Sequence, residues 1–449
     1  MSRSSYWNEA LETLPWPEVE QWQAQQIEKA LGQARAQSGL YAQLFADLPK
    51  NLAINSLADL QGLPFTTKAL LRDAQDQASA EQPFGSNQAV PSEQILQVIC
   101  SSGTTGAPMY YPVTTADNET FADAVANTWY TAGVRPGDRV AHLVGLAMVA
   151  GGLPYADGFR RLGATLLWLG GFPTERILRE MRRLHCTAML STTSFGLYLA
   201  ENWAQVGEET GVASSLQKVL CGGEAGLNQS SIREKMASGL GGAAIREVMG
   251  LGDVIPAMWA ECEHENGMHF NAQKYVAIEL IDPESGQLVP WQEGQTGEMV
   301  YTTFARQASP VIRYRSRDHM LVVGTDCPCG RTSPRMRCIG RTDDMLIYKG
   351  MNVFPNAIRD EIIEVGGKRV QPLIRVWREE AGQVRFDKPI AVDIEASEGV
   401  PASAYNDLKT AVEEHVRHQL QVRVAVTVLK PGSLPHSPYK NALLVTRDA

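Results

Sequence analysis

Two thiols one residue apart, in Asp326-Cys327-Pro328-Cys329-Gly330, make a knuckle-like turn. Earlier in the chain, Cys262 and His269 bracket a short polar stretch that reads as a hairpin. Together Cys262, His269, Cys327 and Cys329 form a Cys3His donor set, the complement of a closed structural zinc site. His264 rivals His269 for the fourth position, and Cys338 is a more distant candidate. The plain alternative is a pair of reduced surface thiols beside an unrelated histidine.

A second chemistry-bearing stretch is Ser101-Ser102-Gly103-Thr104-Thr105-Gly106-Ala107-Pro108, which follows the apolar run ending at Cys100. Glycines let the backbone approach a ligand closely, and hydroxyls with free N–H groups converge on an anion. The spacing is not that of a Walker A loop, and no G-x-S-x-G elbow is present. An ordinary polar loop has the same composition. His142, His185, His319, His415 and His418 have no partner legible in the sequence, and Cys100 and Cys221 read as core residues.

The elements that must hold these residues follow from periodicity. Residues 7–47 read as helical. From about 95 to 300, apolar runs (Ile95–Cys100, Thr165–Leu169, Ala188–Ser191, Lys218–Cys221) alternate with amphipathic segments (Asn118–Thr131, Glu175–Leu184, Ser230–Ala237). That alternation predicts an α/β fold with mostly parallel sheets flanked by helices. Strand-like runs at Ala277–Ile281 and Glu298–Thr303 flank a turn. Beyond residue 341 the texture changes to a small α+β domain. Helices are expected at Ala357–Val365 and Ala402–Gln419, and strands near Gln371–Trp377, Ile390–Ile394 and Arg423–Leu429. The expected organisation is a large domain over 1–341, a hinge at 342–344, and a small mobile lid over 345–449.

Composition narrows the classes. The 449 residues are 44% hydrophobic and 20% charged, with net charge −9. No Lys/Arg run suggests nucleic acid as a partner. No stretch is long and apolar enough for a membrane helix, and the N-terminus does not read as a secretory signal. Seven cysteines fit reduced thiols or a metal site in the cytoplasm rather than a disulfide framework.

Five further motifs lie in a fixed order after the glycine loop: CGGEAG (221–226), REVMGLGD (246–253), YRSRD (314–318), GRTDDMLIYKGMNVFP (340–355) and LPHSPYKN (434–441). In that order they resemble the adenylate-forming superfamily of acyl-CoA ligases, over nearly the whole chain. The nearest branch is the phenylacetate–CoA ligase-like group, which shares SGLYAQLF and GGLPYADGFRRLGATLL. The resemblance implies that Ser101, Ser102, Gly103, Thr104, Thr105 and Gly106 form a pyrophosphate loop. It implies an adenine slot lined by Gly222, Gly223, Glu224, Glu247, Val248 and Met249, with Gly250 to Asp253 beside the α-phosphate. Asp318 and Arg341 would hold the ribose, Asp343 would be the hinge, and Lys440 the catalytic lysine. Some members of this branch also carry a zinc site of the kind described above.

Physical chemistry is consistent with those roles. A carboxylate attacking ATP is an anion meeting an anion, so cations and donors must gather where charge develops. Lys440 supplies a point charge on a long stem. The chain also departs from the family. Ala107 stands where a cation is usual, and Met249-Gly-Leu-Gly-Asp253 replaces Tyr-Gly-x-Thr/Ser-Glu. Arg317 replaces the glycine before Asp318. Asp253 is one methylene shorter than Glu and remains able to donate an oxygen to Mg2+.

The resemblance places the acyl slot in the segment after the first glycine loop. Here Val144, Leu146, Met148, Val149, Ala150 and Gly151 would line it. That lining is apolar and roomy, which suits an aromatic or alicyclic acid. The expected activity is ATP-dependent acyl-adenylate formation followed by thioester formation with coenzyme A. Transfer to an amine, a carrier-protein thiol or another acceptor is the alternative, and a non-catalytic nucleotide-binding relic the second. Expected cofactors and co-substrates are ATP, Mg2+, coenzyme A and structural Zn2+. Expected partners are the small acid and a second copy of the chain in a homodimer.

Overall fold

The structure is a computed structural model that describes residues 4–49, 52–100, 108–144, 148–224, 227, 229–380, 382–434 and 442–447, excluding the side chains of Asp343 and Asn352. The chain forms two compact units. Residues 1–190, 215–220 and 246–337 make the first; residues 191–214, 221–245 and 338–449 make the second.

The N-terminal segment is broken rather than continuous. Glu9–Glu12 is one turn, Trp16–Gln37 a long helix and Gly39–Leu44 a short one. Pro15 and Pro17 allow a helix to begin but not to run through. Ser38 is extended, with ψ 123°, which ends the long helix; its hydroxyl accepts from Tyr41 N–H and caps the next.

Among the described residues the main sheet has eleven strands. Their order is Val276–Ile281, Thr296–Thr303, Tyr314–Gly324, Arg335–Arg341, Met268–Phe270, Trp259–Glu261, Ala244–Met249, Lys218–Cys221, Ala188–Ser191, Arg139–His142 and Thr165–Trp168. Arg139–His142 pairs in parallel with both Thr165–Trp168 and Ala188–Ser191. The opposite edge is an antiparallel meander from Val276 to Gly324. The fold is therefore α/β with helices over a mixed sheet. Ala188–Ser191 is buried at every position, which is why it reads as an unbroken apolar run.

Ile95–Cys100 has the expected bounds but not the expected place. It pairs antiparallel with Tyr110–Thr114 in a separate two-stranded sheet. The connection over 101–109 is shorter than the dozen or so residues a parallel crossover needs. The helix Thr115–Thr131 follows directly, opened by a capping box in which Thr114 and Asp117 exchange side-chain bonds with each other's backbone N–H. It packs on Leu153–Leu162 where Gly158 leaves room for Val125, and Trp129 stacks on Phe159 at 5.0 Å.

In the second unit, Thr193–Thr210 and Ser230–Gly239 pack where Gly239 meets Ala200. The C-terminal part has a four-stranded sheet in the order Val424–Leu429, Ile390–Ala396, Val370–Arg378, Leu444–Thr446. Helices Pro355–Gly366 and Tyr405–Leu420 accompany it, the latter preceded by a separate 3-10 turn at Ala402–Ala404.

Candidate functional site

The polar centre of the first unit is built on the loop after Ala244–Met249. A side chain at Gly250 would run into Pro256 O, so only glycine fits the turn. Leu251 N–H bonds Ile255 O at 3.0 Å and closes it. Asp253 thereby enters the interior, 5% exposed. Its Oδ1 accepts from Tyr111 Oη at 2.5 Å, and Lys68 Nζ lies 3.6 Å from Oδ2. The Tyr314 hydroxyl also bonds Asp253; burial first, then the aspartate charge, push that phenol well above its ordinary range. Arg306 Nη1 donates to Asp253 O at 2.5 Å and to Val254 O at 3.2 Å.

No role is legible in the sequence for Lys68, Tyr111 or Arg306, nor for Tyr314, although Tyr314 opens the YRSRD motif. They come from four separate segments and converge only in the fold. One signal was available: in Tyr314–Gly324 alternate positions are buried, and the inward set starts Tyr314, Ser316, Asp318. Polar residues on the inward face of a strand are a departure that a core would not choose. Asp318 is 7% exposed and its N–H bonds Ser316 Oγ at 3.0 Å. Arg317, standing where the family has glycine, has φ +68°, the left-handed region glycine enters freely. Glu247 and Val248 are buried and Met249 half-buried on the preceding strand, where Glu247 N–H bonds Glu261 at 2.8 Å.

The expected acyl segment adjoins this centre. Val149 is buried and Met148 is 48% exposed; Val144, Ala150 and Gly151 are half-buried. A Cβ on Gly252 would stand 3.0 Å from Ala150 Cβ and 3.6 Å from the Tyr111 ring, so the segment touches the Asp253 loop. Cys100 N–H bonds Met148 O at 2.8 Å, and Cys100 bridges Val149. The strand leading into the glycine-rich loop is thus stitched to the apolar wall. An apolar wall against a cluster of carboxylate, phenols and cations can seat an acid whose tail is apolar and whose head reacts with an anion.

In the second unit, Gly222 N–H bonds Ser191 O at 3.1 Å and Gly223 has φ +81°. Glu224 caps the helix Thr193–Thr210: its carboxylate accepts from Ser194 N–H and Ser194 Oγ, each at 2.9 Å. Arg341 ends its strand, and Asp343 lies in the 3-10 turn Thr342–Asp344. Ser101, Ser102, Gly103, Thr104, Thr105, Gly106, Leu146 and Lys440 lie outside the described residues.

The cysteine cluster assembles as a unit. Trp259–Glu261 and Met268–Phe270 form the hairpin that sets Cys262 beside His269, pairing Ala260 with His269. Arg335, opposite His269 on the next strand, donates to Asn266 O at 2.8 Å and Asp326 O at 2.5 Å, joining hairpin to knuckle. The donor atoms of Cys262, His269, Cys327 and Cys329 all lie within 4.8 Å of one another. Cys262 Sγ to Cys327 Sγ is 3.7 Å and Cys329 Sγ to His269 Nε2 is 3.5 Å. Tetrahedral zinc, with bonds of about 2.3 Å to sulfur and 2.0–2.1 Å to nitrogen, requires roughly 3.8 and 3.6 Å. Hydrogen bonds from Cys262 and Cys327, then His269, draw Cys329 toward the thiolate. Ser333 Oγ stands 3.5 Å from His269 Nδ1, a second-sphere partner. His264, the rival ligand, is exposed.

The same order of elements occurs in known enzymes. Residues 17–304 match the AMP-binding enzyme family, and residues 350–447 its C-terminal domain. A phenylacetate-coenzyme A ligase of Thermus thermophilus is 31% identical over 446 residues, covering 95% of this chain and 96% of the relative. One from Escherichia coli is 31% identical over 86% of this chain and 84% of its own. A crystal structure of 2-hydroxyisobutyryl-CoA ligase with 2-HIB-AMP is similar with TM-score 0.87 at 26% identity, covering 100% of this chain and 94% of that one. From the matched domains and the near-complete span of these likenesses, the chain belongs to the AMP-binding enzymes, in the branch of the adenylate-forming superfamily that holds the phenylacetate–CoA ligases.

Proposed function

We infer that the chain is an AMP-forming acid–CoA ligase. It activates a carboxylic acid as its acyl-adenylate and passes the acyl group to coenzyme A. The likeness to a phenylacetate-coenzyme A ligase over 95% of the chain carries this reading. The first unit supplies what the first half-reaction needs: an apolar wall at Val144 and Val149 beside the Asp253 cluster. Lys68 and Arg306 place positive charge beside Asp253, where the phosphates' negative charge would otherwise be unopposed. Buried tyrosine hydroxyls hold the Asp253 carboxylate in one orientation, so little reorganisation remains when charge develops.

The finer parts of the proposal rest on fit and resemblance. The substrate is an aromatic or alicyclic acid, since Val144, Val149 and the exposed Met148 give the segment an apolar character. Asp253 is an oxygen donor for the Mg2+ that accompanies ATP. Lys440 offsets charge at the α-phosphate, Asp318 and Arg341 hold the ribose, and the lid of residues 345–449 turns about Asp343 between half-reactions. Cys262, His269, Cys327 and Cys329 would hold a structural zinc. The protein acts in the cytoplasm as a homodimer. A pyrophosphate-release screen over aryl, alicyclic and short aliphatic acids tests the substrate class. Turnover of aryl or alicyclic acids supports it; release only with short aliphatic acids overturns it. Thioester formation with coenzyme A, against amine and carrier-thiol acceptors, tests the second half-reaction.

A further inference from the structure

His142 ends the strand Arg139–His142, immediately before the segment read as the acyl wall. It is fully buried, yet both ring nitrogens are used. Nε2 lies 3.2 Å from Gly152 O, and Nδ1 lies 3.3 Å from Val144 N. A carbonyl can only accept and an amide N–H only donate, so the ring is the neutral Nε2–H tautomer. The two bonds hold opposite ends of the same segment, Val144 and Gly152. Trp168, on the adjacent parallel strand, stacks on the imidazole at 5.1 Å and 10°. Its Nε1 donates to Val144 O at 2.9 Å. Both backbone groups of Val144 are therefore fixed by this ring pair. Gly152 N–H bonds Val149 O at 2.9 Å, which carries the constraint onto the buried wall residue. Gly151 lies beside this pair: a Cβ there would be 3.2 Å from the Tyr155 ring and 3.5 Å from Val144.

We propose that His142 is a positioning residue for acid recognition: its neutral ring, stacked on Trp168, ties Val144 to Gly152 and so sets the width of the acyl slot. This rests on the reading of Val144 and Val149 as the acyl wall. His142 itself touches no reacting atom. Burial holds the imidazole neutral, with its pKa pushed down to about 4, so both bonds persist at physiological pH. Its loss acts first on the acid, because both tethered groups belong to the acyl segment.

The experiment compares KM for acid and for ATP in pyrophosphate release, over large and small acids, in His142→Phe, His142→Asn, His142→Gln and Val149→Phe. His142→Phe keeps a ring against Trp168 and loses both bonds. Its acid KM is expected to rise about 10- to 100-fold, the scale of an ångström-level misplacement. ATP KM is expected to stay within about twofold, and the ranking of large against small acids to change. His142→Asn keeps an acceptor for Val144 and His142→Gln a donor for Gly152; each should recover part of the loss, and either gives a reading where His142→Phe fails to fold. If Val149→Phe changes no acid's KM, the acyl reading of the segment fails and the His142 role falls with it. If Val149→Phe discriminates acids by size while the His142 variants leave acid KM unchanged, or raise acid and ATP KM alike, the His142 role alone is overturned.

Discussion

The Tyr111 hydroxyl stands 2.5 Å from Asp253 Oδ1, joining a strand of the two-stranded sheet to the loop after Ala244–Met249. Tyr314 bonds the same carboxylate and Lys68 lies 3.6 Å from it. An aspartate shorter by one methylene than the family's glutamate is thereby held by side chains that come to it.

That geometry predicts opposite costs for two conservative changes. Asp253→Asn removes the charge that faces Lys68 and should cut adenylation by about 100-fold, the scale of losing one preorganised electrostatic group. Asp253→Glu restores the family residue yet overfills a buried site, so stability should fall by about 1–3 kcal/mol. Kinetics and thermal melts of both variants check this. A stable, fully active Asp253→Glu would show that the cluster has room to spare.

The cysteine cluster predicts about one zinc per chain in purified protein. Cys327→Ser should lose that zinc, and chelation should lower the melting temperature of the wild type and not of the variant. Elemental analysis of both proteins decides it: zinc retained by Cys327→Ser places the metal elsewhere, and none in the wild type removes the site.

Arg317 predicts a stabilising reversal. Its φ of +68° costs an L-residue roughly 1–2 kcal/mol, against the 0.5–1 kcal/mol that glycine loses in flexibility. Arg317→Gly should hold or raise stability by up to about 1 kcal/mol, while Arg317→Val should lower it. Chemical denaturation of the pair is the measurement. Equal destabilisation by both would mean that the arginine side chain, and not the backbone, decides.

His142 predicts the acid sensitivity of the first unit. Its native pKa is about 4 against 6.5 when unfolded, so below neutrality the unfolded chain takes up the proton and the folded one does not. The neutral ring carries no penalty above pH 7.5. Stability is lost as pH falls from about 6.5 toward 4, amounting to about 2 kcal/mol at pH 5. The rings packed about it are Tyr155, Phe159 and Trp168, none charged in this range. His142→Phe should therefore be less sensitive to acid than the wild type between pH 7.5 and 5. Parallel slopes of melting temperature against pH would assign the effect to other groups.

Much of the fold is legible because buried strands announce themselves. Ala188–Ser191 and Lys218–Cys221 have the bounds that their apolar runs suggest. Ile95–Cys100 has the right bounds and the wrong neighbours: its partner Tyr110–Thr114 contains Pro112, which breaks a strand signal, and no element is assigned to it from the sequence. The Cys3His set is legible for another reason: a knuckle and a hairpin are local, and only one long-range step joins them. The Asp253 cluster is not legible in the same way. Tyr111 and Asp253 are 142 positions apart, and no period or composition marks a strand residue and a loop residue that meet only in the fold. His142 shows no partner in the sequence for the same reason; its bonds to Val144 and Gly152 depend on how the chain returns after the strand.

On the reading of the chain as an acid–CoA ligase, ATP is cleaved to AMP by an acid that then reaches coenzyme A. Chromatography of the nucleotide products, with mass spectrometry of the thioester, tests it in one reaction containing ATP, an aryl acid panel and coenzyme A. AMP and pyrophosphate are expected in amounts equal to acyl-CoA, and without coenzyme A an enzyme-bound acyl-AMP. Acid-dependent ADP and phosphate, or acyl-CoA formed without AMP, would contradict it.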